Sequence, residues 1–334
     1  MILKNIHITL LFFIASYTLF AQDQQTENDT LFDNYNAYIR YYKNQVHAKI
    51  YYINTSNSIS INDRDSHLNL DLNANKQSRI GGSVSFRKLT ISYSFAPDFL
   101  SANKNNSGSR LYNLNLRGYH KAHWMQTFKL YSEKGFYVKI PGNKLYLPQT
   151  TSLKFGGATS YIFNKNFSYR ALASQNEKQL KSAGSFIPSV SLYYTTFNLN
   201  TEGEFQYITI DKQFDSFDLS FSPSYNYNFV PNENLFISAG ASFGLGLNYT
   251  ASDTENITTL LTEFNFKGTI TYDLKDFFIG AHYNYLILNH STKRSYYIAD
   301  SIPFFQFFVG YRFKAPQKVI ETAEDINDKL NIKT

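Results

Sequence analysis

The sequence predicts an all-β chain closed into a transmembrane, antiparallel, up-and-down β-barrel of about 12 strands, with about 14 as the other even count open to it. Three observations lead there. The 334 residues include 27 Tyr and 30 Phe but one Trp, so aromatics make up 17% of the chain, yet mean hydropathy is −0.35. A chain so aromatic and so polar must separate the two characters over short distances, which alternation along strands achieves. The polar face of the alternating runs is Ser, Asn, Gly and Thr, where a soluble sandwich would carry long charged side chains, and large aromatics fill the other face. Several runs also exceed the ~5–6 residues of an ordinary strand and reach the ~9–11 that cross a bilayer on a tilt.

Taken in chain order, residues 1–21 read as a secretory leader: Lys4 opens it, Ile8 to Ile14 form the apolar run, and Leu19-Phe20-Ala21 precede the expected cleavage. Residues 22–43 read as a periplasmic lead-in, 44–314 as the barrel and 315–334 as a charged periplasmic tail, a short helix or unstructured. Within the barrel, Val46–Ile53 is the first candidate strand, and Ile80–Phe86, Leu89–Phe95, Tyr112–Gly118 and Leu153–Tyr161 alternate weakly. The pattern is strongest at 214–229, where Phe217, Leu219, Phe221, Tyr225, Tyr227 and Phe229 alternate with Asp218, Ser220, Ser222, Ser224, Asn226 and Asn228. Residues 235–249 repeat it after the turn Pro231-Asn232-Glu233-Asn234, and 263–272 and 277–285 repeat it around Asp273-Leu274-Lys275-Asp276. In the last run, Phe305, Phe307, Val309, Tyr311 and Phe313 share one face, similar to the aromatic-ended closing strand by which barrel-assembly machinery recognises its substrates.

Thirteen candidate strands leave an odd count. Parity returns if Val46–Ile53 lies outside the barrel, or if Asn164-Lys165-Asn166 is a tight hairpin that makes Phe167–Ala173 a strand of its own.

Composition excludes several functions. There is no Cys, hence no disulfide framework, thiolate metal site or thiol nucleophile. The formal charge of +6 is spread over single Lys and Arg residues without a basic block; nucleic acid is not an expected partner, and outer-membrane lipid and lipopolysaccharide are. No cofactor and no metal are expected.

Phe167-Ser168-Tyr169-Arg170-Ala171, Gln175-Asn176-Glu177-Lys178-Gln179 and Lys181-Ser182-Ala183-Gly184-Ser185 together resemble the hallmark of an uncharacterised family of Bacteroidetes outer-membrane barrels, classed as a domain of unknown function. Lys49–Asp63, Gly81–Phe95 and Gly310-Tyr311-Arg312-Phe313 are similar to further parts of that family, so the resemblance spans most of 44–314 and implies a barrel in the cell outer membrane. It brings no reaction or ligand. Read physically, Arg170, Gln175, Asn176, Glu177, Lys181 and Ser182 could grip an anionic headgroup or fold back into the lumen as a plug, with Ser182–Ser185 as a hinge. A simpler role is a polar turn whose Arg–Glu pair pins the register of two strands.

The expected function is a narrow channel or a structural or assembly component of the outer membrane; the alternative is a barrel enzyme acting on lipid or lipopolysaccharide. For the enzyme, His282 beside Asn284 on a lumen face, with a lumen Ser, is the concrete set, and no nucleophile elbow marks that Ser. His120-Lys121-Ala122-His123 has the spacing of a helical metal pair but falls at a turn, where the two rings project differently. For the channel, a lumen of small polar side chains with scattered Asp218, Glu263 and Lys267 is hydrated and nearly charge-balanced, which implies weak ion selectivity.

Overall fold

The computed structural model describes residues 33–55, 58–63, 68–75, 78–100, 108–120, 123–140, 143–173, 175–200, 211–252, 256–291 and 296–329. The expected leader and the start of the lead-in lie outside these residues. Strands β1 (Asp33–Asn36) and β2 (Ile39–Tyr41) come first, then β3 (Gln45–Thr55), β4 (Ser58–Asp63), β5 (Leu68–Ala74), β6 (Ser78–Phe86) and β7 (Leu89–Phe95). Strands β8 (Arg110–His120), β9 (Trp124–Ile140) and β10 (Asn143–Tyr161) lead to a one-turn helix, α1 (Tyr169–Leu172), and a short strand, β11 (Glu177–Gln179). Strands β12 (Ala183–Asn200), β13 (Asp211–Phe229), β14 (Leu235–Ser252), β15 (Asn256–Leu274), β16 (Phe277–Ser291) and β17 (Tyr296–Lys314) precede helix α2 (Gln317–Lys329).

Twelve of these strands form a closed antiparallel ring. From β10 it runs through β12, β13, β14, β15, β16, β17, β3, β6, β7, β8 and β9, and the β9–β10 ladder, with Trp124 opposite Tyr161, closes it. Closure removes every free edge, which a bilayer demands of a sheet. β4 adds no wall position: it continues β3 along β17 in unbroken register, Thr55 facing Phe304 and Ser58 facing Ser301. β5 likewise extends β6 past the short β7–β8 hairpin and pairs Leu72–Ala74 with β9.

Neither parity device expected from the sequence operates. Val46–Ile53 lies in the wall between β17 and β6, because its inward side chains His47, Lys49 and Ile53 are all buried. Phe167–Ala173 is not a strand: Ser168 turns it into α1.

Alternation assigns the two faces. On β13, Phe217, Leu219, Phe221, Tyr225, Tyr227 and Phe229 are exposed, whereas Asn226 and Asn228 are fully buried; the apolar face turns outward, as lipid requires. The outward face of β17 is the aromatic series expected for the closing strand. β10, β13, β15 and β17 have 19 residues each, beyond the bilayer requirement, so the wall projects past the hydrocarbon. One end carries the tight connections Arg87-Lys88, 230–234 and Lys275-Asp276; at the other end the links from β7 to β8 and from β12 to β13 are longer in sequence. The tail is helical where described: Ile320 and Ala315 pack on Val46 below the short-turn end, and Arg87 reaches Glu324 at 3.0 Å.

Candidate functional site

The short-turn end of the barrel is filled by two chain segments, 33–44 and 162–182. The chain leaves β10 when the Ile162 N–H bonds to the His123 carbonyl at 2.7 Å. The Asn164 side chain then accepts the Asn166 N–H at 2.9 Å and donates to the Gly184 carbonyl at 2.7 Å, reversing the chain inward. Ser168 caps α1 by accepting the Ala171 N–H at 2.9 Å, and its hydroxyl donates to Glu177 at 2.6 Å. β11 then pairs with β2, and β2 with β1, as a three-stranded sheet. The described part of the expected lead-in, residues 33–43, therefore belongs to this closure; Ile39, Tyr41 and Tyr42 are buried in it, too apolar to remain solvated.

Gln179, 2% exposed, is the knot. Its carbonyl oxygen accepts the Ser168 N–H at 2.8 Å and the Asn228 amide at 3.0 Å, and its amide donates to the carbonyls of Asn166 at 2.7 Å and Lys181 at 2.9 Å. Asn228, on the wall, also donates to the Ser168 carbonyl at 2.9 Å. Asn176 donates to the Arg87 carbonyl and accepts the Tyr42 N–H at 3.0 Å. From the wall, Lys49 Nζ donates to the Ala173 carbonyl at 2.8 Å and the Tyr119 hydroxyl to Gln175 at 2.8 Å. Each bond contributes about 1 kcal/mol net, but losing a partner strands a buried polar group at about 1–3 kcal/mol, so the plug has one specific seat.

Charge follows the same plan. Arg170 pairs with Glu177 at 3.0 Å beneath the Tyr119 ring, whose centroid is 4.3 Å from the guanidinium. At the mouth, Arg312 grips Asp273 through two 2.9 Å bonds, and Lys178 of the plug reaches the same carboxylate at 3.4 Å. A cluster of Met125, Ile162, Phe167, Tyr169, Leu172, Ala183 and Ile187 packs the remaining space.

Of the residues singled out in the sequence, Arg170, Gln175, Asn176 and Glu177 meet in the plug. Lys181 is exposed, its Nζ 5.6 Å from the Tyr38 ring centroid, and Ser182 accepts the Val230 N–H at 2.9 Å. Ser182–Ser185 is not a hinge: Ala183–Ser185 opens β12, laddered to Asn228–Asn226. His282 and Asn284 lie on the lumen side of β16, but the His282 ring stacks on Phe308 at 4.7 Å. Its hydrogen-bonding partner is the Thr269 hydroxyl at 2.8 Å, and among the described residues no Ser reaches it. His123 bonds the Ile162 carbonyl at 2.6 Å and stacks on Tyr161, so it anchors the start of the plug.

Sequence reasoning missed Tyr169 and Gln179, and missed the wall residues Lys49, Arg117 and Asn228 as contacts of the plug. A signal was present: the run Tyr38-Ile39-Arg40-Tyr41-Tyr42 is as aromatic as a strand. The lumen is also less balanced than expected. Asp218 takes Lys154 at 3.7 Å and the Asn248 amide. Glu263 crosses β14 to Ser222 at 3.1 Å, a path kept clear by Gly244, where a Cβ would lie 2.3 Å from the Ser222 hydroxyl. Lys267 instead faces the plug, 5.7 Å from the Tyr169 ring centroid.

A family model described as "Domain of unknown function (DUF4421)" matches residues 27–313. No curated protein matches the chain. Among solved structures, the chain is similar to the outer membrane protease OmpT from Escherichia coli, with 7% identity over 82% of this chain and 98% of that one, TM-score 0.39. It is similar to the COG4313 outer membrane channel from Pseudomonas putida F1, with 9% identity over 86% and 100%, TM-score 0.38. Ail of Yersinia pestis gives 12% identity over 80% and 98%, TM-score 0.26. At these scores none of the three likenesses bears on function.

Proposed function

The chain belongs to the DUF4421 domain of unknown function, and we propose that this member is an outer-membrane channel held closed at its short-turn end by a folded plug. The observation that carries the reading is the hydrogen-bonded seat of residues 168–179 on the lumen wall, centred on Gln179 and Asn228. A plug so held blocks permeation at one mouth, while above it the inner face of β13 and β14 is lined by Ser and Gly, which leave room for water. Twelve strands enclose more than the side-chain-filled eight-strand barrels and less than the open sixteen-strand porins. An outer-membrane location is supported by the closed ring and its exposed aromatic face. We place the short-turn end toward the periplasm, with the outward aromatics against lipid and lipopolysaccharide, and the Phe305–Phe313 face as the feature met by barrel-assembly machinery.

Planar-bilayer conductance of the refolded protein tests this. The intact chain should be silent, and a double variant, Asn228→Ala with Gln179→Ala, should show discrete openings. Steady conductance in the intact chain, or silence in the double variant once proteolysis shows its plug released, would overturn the proposal.

A further inference from the structure

The upper face of the plug is ringed by cations that have no counter-charge. Lys49, Arg117, Lys129 and Lys267 come from four strands, β3, β8, β9 and β15, and all lie on inward positions of the wall. The Arg117 guanidinium is 5.5 Å and Lys267 Nζ 5.7 Å from the Tyr169 ring centroid. Lys49 is held over the plug by its bond to the Ala173 carbonyl. Of the other described lumen cations, Lys154 has Asp218, Arg170 has Glu177, and Arg312 and Lys178 share Asp273, while Arg79 lies instead over the Tyr131 ring at 5.4 Å. Among the described residues no carboxylate lies within ion-pair distance of any of the four, and Nε of Arg117 is buried without a hydrogen-bond partner. The nearby acids are engaged elsewhere, Glu263 with Ser222 and Glu133 with the Tyr131 hydroxyl.

The field of these cations registers on the plug itself. Burial pushes the Tyr169 hydroxyl up, but Lys267, Arg117 and Lys129 bring it down to about 8. Like charges gathered in a partly desolvated cavity repel one another, and without a counter-ion that repulsion works against seating the plug.

The geometry points to an anion site on the floor of the lumen, formed by Lys49, Arg117, Lys129, Lys267 and the Tyr169 hydroxyl, that takes a small multiply charged oxyanion of the phosphate or sulfate class. The cations project inward, away from lipid, so the oxyanion arrives as a solute through the long-loop end, free or as the head of a soluble ester. This site goes beyond the channel reading and does not require that the barrel conduct. Bound there, the anion would neutralise the ring and tighten the plug from above, since a ligand that binds only the seated form stabilises it.

Calorimetric titration of the full-length, detergent-folded protein with inorganic phosphate, sulfate, a sugar phosphate and chloride tests the site. Phosphate and sulfate should bind one per chain, with chloride far weaker; a sugar phosphate binding as well as phosphate would identify a soluble ester as an admissible source, and its exclusion would restrict the site to the free ion. Arg117→Gln and Lys267→Gln should each weaken phosphate about tenfold or more, the loss expected for one charge-assisted hydrogen bond, whereas Lys318→Gln on α2 should leave it unchanged. Should either variant fail to fold, phosphate protection of the wild-type plug against amide hydrogen exchange replaces it as the readout. Absence of saturable phosphate and sulfate binding, equal binding by the Arg117→Gln variant, or no protection by phosphate would overturn the inference.

Discussion

The wall of β13–β15 and the plug at 33–44 and 162–182 are built on opposite rules. In the wall, outward positions carry exposed Phe, Tyr and Leu side chains such as Phe217, Phe221, Phe243, Leu247, Phe264 and Tyr272 among smaller residues, and most inward positions are small or polar; backbone ladders carry the structure. In the plug, β11 contributes a three-residue ladder to β2, and the seat depends on particular side chains such as Gln179, Asn228 and Asn176. Away from the residues that touch the plug, the wall therefore tolerates change inside and resists it outside, and the plug does the reverse. This division lets the stability of plug and wall be measured separately.

The largest effect is expected where both regions share a residue. Asp273→Ala strands Arg312, whose side chain is 8% exposed, and removes the partner of Lys178; breaking a buried pair from one side costs about 3–5 kcal/mol. Urea unfolding in lipid vesicles should show that loss, together with faster exchange in the plug; an unchanged plug would separate the two regions at this point. Next, Phe221→Arg places a charge on the lipid face near the middle of β13, at about 2–4 kcal/mol. Global unfolding should move while plug exchange, referred to the new midpoint, stays in step with the wall.

Gln179→Ala should act the other way. It leaves buried groups of Ser168 and Asn228 short of a partner, about 1–3 kcal/mol locally, so hydrogen exchange at 33–44 and 162–182 should rise tenfold or more with the unfolding midpoint of the wall unchanged. A matching fall in that midpoint would show that plug and wall fold as one unit. The smallest effect concerns Tyr169. Its hydroxyl, near 8 in the folded protein, lies below the ~10 of an unfolded chain. A depressed acid stabilises fully above the unfolded value, and that contribution is lost as pH falls through the folded one. The gain should be absent at pH 7 and reach about 1 kcal/mol by pH 9. Ultraviolet difference spectra should show one tyrosinate forming near pH 8, abolished in Tyr169→Phe.

Legibility in the sequence divides along the same line. The faces of β13 to β17 can be read residue by residue, and the turn at Lys275-Asp276 falls where the turn residues placed it. The weaker N-terminal runs were legible as strands but not as neighbours, so the place of Val46–Ile53 between β17 and β6 could not be chosen over exclusion from the ring. Arg170 and Glu177 could be marked as a pair, since they are seven residues apart in a polar run. Lys267 reads as an isolated lumen charge and Lys49 and Arg117 do not stand out at all, because what makes the three a group is the plug they surround.

By itself the sequence determined the all-β class, the alternating faces and the aromatic outer surface, because alternation is local: each side chain's face follows from its own place in a two-residue repeat. Tertiary structure alone decided the twelve-strand closure, the folding of 33–44 into the plug and the cation ring above it. These rest on partners such as Lys49 with Ala173, 124 residues away, and Gln179 with Tyr38, 141 residues away. Small polar side chains carry no periodic signal that would pair them before the ring closes and brings them within reach.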